Sequence, residues 1–327
     1  MGASISVPFV KTTFSDIQNR RELTPRLWQR GAVRGFHAVM LPMTDGRMLE
    51  TYVSGPDEGI PLVFHNGTPS SGLPFAPFVE LATDRGLRLV TYSRAGYSTS
   101  SRRAGRSVAD IAADVAAVLD HLGAARCYTM GWSGGGPHAL ACSALLPERI
   151  IAAASLAGVA PYPAQGIDWM AGMGAENHIE FGAAVEGPDQ LQPFLESAAA
   201  LVEAVTGDQV AAAFGDLVSD VDRASLTGEY AKWVAAGFRD AVSHGIWGWF
   251  DDDLAFVKPW GFEINDIHRP VAIWQGGQDR MVPFAHGQWL AQHVPSASVH
   301  LLPEHGHLSL TVASMGHILD ELVAAGA

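Results

Sequence analysis

The chain has 327 residues, 48% of them hydrophobic, with 21 basic against 34 acidic side chains and a formal net charge of -13. That length holds one sizeable core, and no apolar run reaches the roughly 18–20 residues of a membrane span, so no membrane partner is expected. The acidic balance offers phosphates no basic footprint, which excludes nucleic acid as an expected partner.

The start, "MGASISVPFVKTTFSD", lacks a basic region followed by an apolar one, so no signal peptide is expected. Gly2 with Ser6 fits the myristoylation pattern and is read as a chance match in a polar N-terminal arm over 1–34. "GFHAVMLP" and "RMLETYVS" then flank Thr44, Asp45 and Gly46, a hairpin signal. Further strands follow at "PLVFHN", "LRLVTYS", "RCYTMGWS" and "IIAAASLAG", and later at "PVAIWQGG" and "SVHLLPEHG". Apolar strands with polar C-terminal ends predict a parallel sheet covered on both faces. Helical patterns fall at 108–122, 137–146 and 285–293, with a last one after Ser309. Strand and helix alternate after an antiparallel hairpin, which predicts about eight strands in an α/β sandwich. Cys127 and Cys142 lie in apolar stretches and are too few for a disulfide framework; buried free thiols and a reducing, cytoplasmic setting are expected.

The segment 160–265 is different. It is alanine-rich, shows no convincing strand, and carries 17 acidic against 4 basic residues, while the rest of the chain is balanced. The whole net charge therefore sits in one insert, read as a helical cap between strands six and seven. Two readings of its charge are open: solvation of exposed helix faces, or a field that disfavours anionic substrates.

Chemistry gathers at strand ends. "MGWSGGGPHAL" places Ser133 where a strand turns at once into a helix, with Gly131 and Gly135 at the fixed positions of G-x-S-x-G. The turn lifts the hydroxyl above the sheet edge and sets the N–H of Gly134 at a helix N-terminus, where negative charge is favoured. A hydroxyl needs a base, and the base an orienting acid. Asp279 follows the strand "PVAIWQ" and His307 follows "SVHLLP", so the chain delivers Ser, Asp and His in that order. The sequence resembles an α/β-hydrolase fold serine hydrolase with a helical cap: a mostly parallel sheet with helices on both faces, core residues 35–159 and 266–327, and the cap inserted after strand six.

What the resemblance implies is a catalytic triad of Ser133, Asp279 and His307. "HNGTPSS" is similar to the family's His-Gly-x-Pro loop with Asn66 interposed, which makes Thr68 the second oxyanion-hole donor beside Gly134, with Gly67 as the fallback. "YSRAGYSTSS" resembles the family's D-R-x-G-x-G-x-S loop with Ser93 for Asp and Ser98 for the second Gly, so only a loop-shaping role carries over to Arg94 and Gly96. Gly306-His307 matches the family's Gly-His pair and favours His307 as base over His305. Asp251, Asp252 and Asp253 are read as a solvated turn rather than the acid. His65 and His138 are expected near the site as hydrogen-bonding residues, and Trp132 as packing or lining the acyl pocket. Trp169, Trp233, Trp247, Trp249 and Trp260 are expected to be mostly core, with one or two facing the pocket.

Dehalogenases and epoxide hydrolases of this fold use Asp at the elbow, so Ser133 argues against both. Hydrolysis of a small apolar or neutral ester is the first expectation. A proline iminopeptidase-like aminopeptidase and a C–C bond hydrolase are the enzymatic alternatives, and a binding protein on the same fold is a third class. No cofactor and no metal are implied, since the two histidines of "HGH" lack a partner cluster. The partner expected is a small-molecule substrate; the oligomeric state is left open, a homodimer included.

Overall fold

The computed structural model describes residues 38–295 and 297–326. The N-terminal arm, with its Gly2 and Ser6 pattern, lies outside the described residues.

β1 (Val39–Pro42) and β2 (Met48–Ser54) form the expected antiparallel hairpin, with Val39 opposite Thr51 and Pro42 opposite Met48. β3 (Ile60–His65), β4 (Leu87–Tyr92), β5 (Cys127–Trp132), β6 (Ile150–Leu156), β7 (Val271–Gly276) and β8 (Ser298–Leu302) complete an eight-stranded sheet in the order β1-β2-β4-β3-β5-β6-β7-β8. Only the pairs made by β2 are antiparallel; every other pair is parallel. All six residues of β5 and of β7 are buried, as expected of interior strands covered on both faces.

The two faces read off the period-two alternation of the strands. On β3, Val63 packs toward Val115, Leu119 and Leu140, from α2 (Ile111–His121) and α3 (Gly135–Leu145), in a cluster that also takes Leu290 of α10 (Phe284–His293). Its neighbours Leu62 and Phe64 pack on the other face with Phe78 of α1 (Ala76–Thr83) and Leu310, Met315 and Ile318 of α11 (His307–Ala325). α11 is long and apolar enough to cross a membrane, but half of it is buried inside the protein, where it is the core helix of that second face. It begins at His307, three residues before the first position after Ser309, and α1 has no counterpart in the sequence reading.

Between β6 and β7 the chain forms helices and no strand: α4 (Ala175–Glu186), α5 (Pro188–Ala204), α6 (Val210–Ala213), α7 (Asp220–Ser225), α8 (Gly228–Ala241) and α9 (Trp247–Phe256). The segment has a small core of its own, in which Leu191 and Leu195 of α5 meet Ala241, Ile246 and Leu254, with Tyr97 as the contribution of the β4–α2 loop.

Candidate active site

Ser133 directly follows β5 with φ +57°, a left-handed conformation that is rare for a residue with a side chain and marks a strained turn. Its N–H donates to the Leu156 carbonyl at 2.8 Å, and its carbonyl accepts the Gly136 N–H at 2.9 Å. The elbow is tight. A Cβ on Gly131 would strike the carbonyl of Gly135, and one on Gly135 would strike the carbonyl of His65 at the end of β3. Glycine at both positions lets strand, helix and the neighbouring strand end close up around the serine.

Asp279 and His307 lie in contact. His307 Nδ1 lies 2.8 Å from Asp279 Oδ2, and both residues are buried. The other carboxylate oxygen, Oδ1, accepts the N–H groups of Met281 and Val282 at 2.9 and 2.8 Å, while Gln275 Nε2 donates to Oδ2 at 3.0 Å. Burial works against charge on His307, but the Asp279 carboxylate outweighs it and raises the imidazole above its ordinary value. Burial pushes Asp279 upward as well, opposed by His307 and by the N–H of Val282. His305 is placed elsewhere, with its Nε2 3.9 Å from Glu304.

Ser133 and His307 line one cavity of about 180 Å³, together with Gly67, Thr68 and Gly134. Thr68 packs against Gly134 so closely that a Cβ there would come within 2.9 Å of the Thr68 Cβ, and a Cβ on Gly67 would lie 3.3 Å from that of Ser133. The expected oxyanion residues and their fallback are therefore gathered at the serine.

Most of the remaining wall is apolar and comes from the helical segment and from Trp132. Trp132 stacks on Trp233 with ring centroids 6.4 Å apart and donates its Nε1–H to the His307 carbonyl at 3.3 Å. Of the segment's tryptophans, Trp233 and Trp249 face the cavity, Trp169 and Trp260 are buried in the core, and Trp247 stacks under Arg102, 4.0 Å from its ring centre. Three polar side chains of α4, Glu176, Asn177 and Glu180, complete the wall, and no lysine or arginine is among the described residues that line it. Burial pushes Glu180 up to about 7, even though Trp249 Nε1 donates to it at 2.7 Å. Asp253 is wholly buried beside Glu180, and burial, with the charge and hydrogen bonding of the adjacent Glu180, raises its carboxyl well above the usual range.

The expected solvated turn at Asp251, Asp252 and Asp253 is not there. All three are buried on α9, because partners from the β4–α2 loop come to meet the first two. Arg102 donates to Asp251 at 2.8 and 3.0 Å. Asp252 receives Arg94 at 2.7 Å, Arg106 at 2.5 Å, the Tyr97 hydroxyl at 2.8 Å and the Thr68 hydroxyl at 2.9 Å. Against the cost of burial, Arg106 and Arg94 hold its carboxyl well below the usual carboxylate range. Arg94 also donates from Nη1 to the Asn66 carbonyl, and the Nη2 that holds Asp252 lies 2.9 Å from both the Gly67 carbonyl and the Thr68 hydroxyl. Where the family loop has an Asp, Ser93 donates to Glu50 of β2 at 2.5 Å, so the carboxylate at this corner comes from another strand. His138 lies 3.3 Å from Asp252, and His65 is held between the Tyr92 hydroxyl at 2.6 Å and the Thr129 hydroxyl at 2.9 Å; burial lowers both imidazoles, His138 to about 4. Neither ring lines the cavity. Cys127 and Cys142 are buried free thiols, as expected.

The sequence model described as the alpha/beta hydrolase fold matches residues 60–313. A probable proline iminopeptidase of Leptolyngbya boryana is 22% identical over 314 residues, covering 88% of this chain and 94% of the relative. Among solved structures, an alpha/beta hydrolase fold protein from Nakamurella multipartita superposes with a TM-score of 0.64 at 21% identity, over 89% of this chain and 100% of its own. An esterase from Exiguobacterium antarcticum gives 0.61 at 18% identity, over 88% of this chain and 98% of its own. With the family match spanning well over half of the sequence, the chain belongs to the alpha/beta hydrolase fold family.

Proposed function

We propose that the protein is a serine hydrolase that cleaves a small, neutral or apolar carboxylic ester through an acyl-enzyme, with residues 160–265 as a cap over the site. The observation that carries this reading is the 2.8 Å contact of His307 Nδ1 with Asp279 Oδ2 while Ser133 and His307 share one mostly apolar cavity. Asp279 fixes the imidazole tautomer, leaving Nε2 to take the Ser133 proton as Oγ attacks the substrate carbonyl. The N–H groups of Gly134 and Thr68 receive the oxyanion, a role worth on the order of 100- to 1000-fold per donor. His307 then protonates the departing alcohol. Water, deprotonated by the same imidazole, attacks the acyl carbon and releases the acid and free Ser133.

A second reading is favoured by one observation. Glu176 and Glu180 place carboxyl groups in the cavity wall with no cationic neighbour among its described lining residues, which suits a substrate amine and agrees with the likeness to the proline iminopeptidase. The test is a panel of p-nitrophenyl esters against amino-acid anilides, with Ser133→Ala as control and a fluorophosphonate as active-site label. Ester turnover with single-site labelling is expected, and Ser133→Ala lowers kcat by roughly 10⁴ to 10⁶. Preferential anilide turnover selects the aminopeptidase. No turnover and no labelling reduce the chain to a binding protein on this fold.

A further inference from the structure

α11 carries His307 as its first residue, and a helix start leaves its first N–H groups without intrahelical partners. The residue before it, Gly306, has no side chain with which to accept them. The acceptor comes instead from Asp222, on α7 of the helical segment, 85 residues away in the chain from His307. Asp222 Oδ2 accepts the N–H of His307 at 2.9 Å. Its Oδ1 accepts the N–H groups of Leu308 and Ser309 at 2.8 and 2.9 Å, and the Ser309 hydroxyl at 3.0 Å. The carboxylate is wholly buried, and all of these donors belong to one helical turn. Gly306 is the complement of this arrangement, since a Cβ there would collide with the Asp222 carboxylate.

Two carboxylates thus act on one residue: Asp279 through the ring, Asp222 through the backbone. We propose that Asp222 is a positioning residue that sets the place of the base His307 and couples it to the helical segment; the catalytic part of this rests on His307 serving as base to Ser133. The charged and titratable groups around it are few. His307 and Asp279 feel its charge from the β7 and β8 ends, and the Tyr230 hydroxyl, 3.1 Å from Thr311 Oγ1, feels it from α8. The adjacent Arg223 is turned to the carbonyls of Ala211 and Gly215 at 2.9 and 3.0 Å. A backbone that drifts by about an ångström at the base costs on the order of 100-fold in turnover, so the grip of one side chain on this turn has a measurable consequence.

The experiment compares Asp222→Ala and Asp222→Asn with the wild type. Ester kcat is expressed per fluorophosphonate-titrated site, and the His307 ring is titrated by NMR, its resonance assigned with His307→Gln. Removing the negative charge disfavours the imidazolium, so both variants titrate His307 at lower pH than the wild type, and the acid limb of kcat/KM moves with it. Asp222→Ala loses roughly 10- to 100-fold in kcat with little change in KM. Asp222→Asn, which retains one carbonyl acceptor for Leu308 and Ser309, recovers part of the kcat but not the titration. Wild-type turnover per labelled site in both variants, or a His307 titration that does not move, overturns the proposal. If the ring titration moves while Ser133→Ala keeps wild-type turnover, Asp222 still positions His307 and it is the catalytic reading of Ser133 that fails.

Discussion

Arg94 and Asp252 form a buried ion pair, Nη2 to Oδ2 at 2.7 Å, with the arginine side chain 2% and the carboxylate 0% exposed. The pair joins α9 of the helical segment to the loop after β3, because the same guanidinium holds the carbonyls of Asn66 and Gly67 and the Thr68 hydroxyl. Asp252→Ala leaves Arg94 and Arg106 buried without their counter-charge. Breaking a buried pair from one side costs about 3–5 kcal/mol. The expected result is a fall of that size in urea unfolding free energy, with Asp252→Asn intermediate because it keeps an acceptor. Thr68→Val isolates the loop contact: it removes the hydroxyl bonds and leaves the backbone N–H, so kcat for esters falls while the fold is retained. An Asp252→Ala protein within about 0.5 kcal/mol of wild type would show that the network carries no stability.

The pH profile tests the base. Asp279 raises His307 above the ordinary imidazole value against the opposing cost of burial. The base must be neutral to accept a proton, so kcat/KM falls on acidification, with a midpoint above the ordinary histidine value of about 6.5. His307→Ala removes this activity. His305→Ala leaves it within about threefold, because that ring faces Glu304 and not Asp279. A limb centred well below 6.5, or activity that depends on His305, points to a different base.

The strand-to-helix turn at Ser133 and the strand-end positions of Asp279 and His307 were legible in the sequence because each requirement is local. Gly131 and Gly135 follow from the close approach of strand and helix, and Asp279 and His307 from the polar ends of apolar strands. The parts that were not legible are those in which one segment completes another. Asp251 to Asp253 read as a polar turn because three adjacent carboxylates are costly to bury alone, and the arginines that bury two of them lie about 150 positions earlier. The last helix, read from the sequence as lying after Ser309, starts at His307, where Asp222 accepts its first N–H groups from across the fold. α1 escaped notice because it is only 8 residues long and begins at a proline-containing turn, too short for a helical period to show.

Glu180 makes stability depend on pH in a defined direction. Burial raises its carboxyl to about 7 from an unfolded value near 4.5. A group held protonated by the fold contributes its stability in full below the unfolded value, and that contribution is lost as pH rises through the folded one. At 1.36 kcal/mol per unit the loss is at most about 3 kcal/mol between pH 4.5 and 8. Glu180→Gln keeps a neutral group beside Trp249 and removes the titration, so its unfolding free energy varies less over this range and its advantage over the wild type grows with pH. Asp253 remains in the variant, where the introduced side-chain amide can donate to it. Equal differences between wild type and variant at pH 5 and pH 8 contradict the assignment.

On the proposed ester chemistry, charge at the cavity is expected to select which esters enter. Five of the segment's acidic residues, Glu180, Asp222, Asp251, Asp252 and Asp253, are buried, so solvation of helix faces does not account for all of them. Of these, Asp251 and Asp252 are neutralised by arginines, and Asp222 serves the start of α11. Of the five, Glu180 and Asp253 are left; Glu180 joins Glu176 at the cavity wall, where no described arginine or lysine compensates them, and adds its charge to that of Glu176 as pH rises through about 7. Low-dielectric walls focus such a field, and it is screened over about 8 Å at physiological salt wherever water reaches it. Anionic esters are therefore expected to have the lowest kcat/KM of a matched set, by roughly tenfold or more, and to gain as salt is added. Cationic esters lose with salt, and neutral ones stay level. Glu176→Gln with Glu180→Gln narrows the spread between the three. If all three esters respond alike to salt and the double variant leaves their ranking intact, the carboxyl groups shape the wall without selecting the substrate.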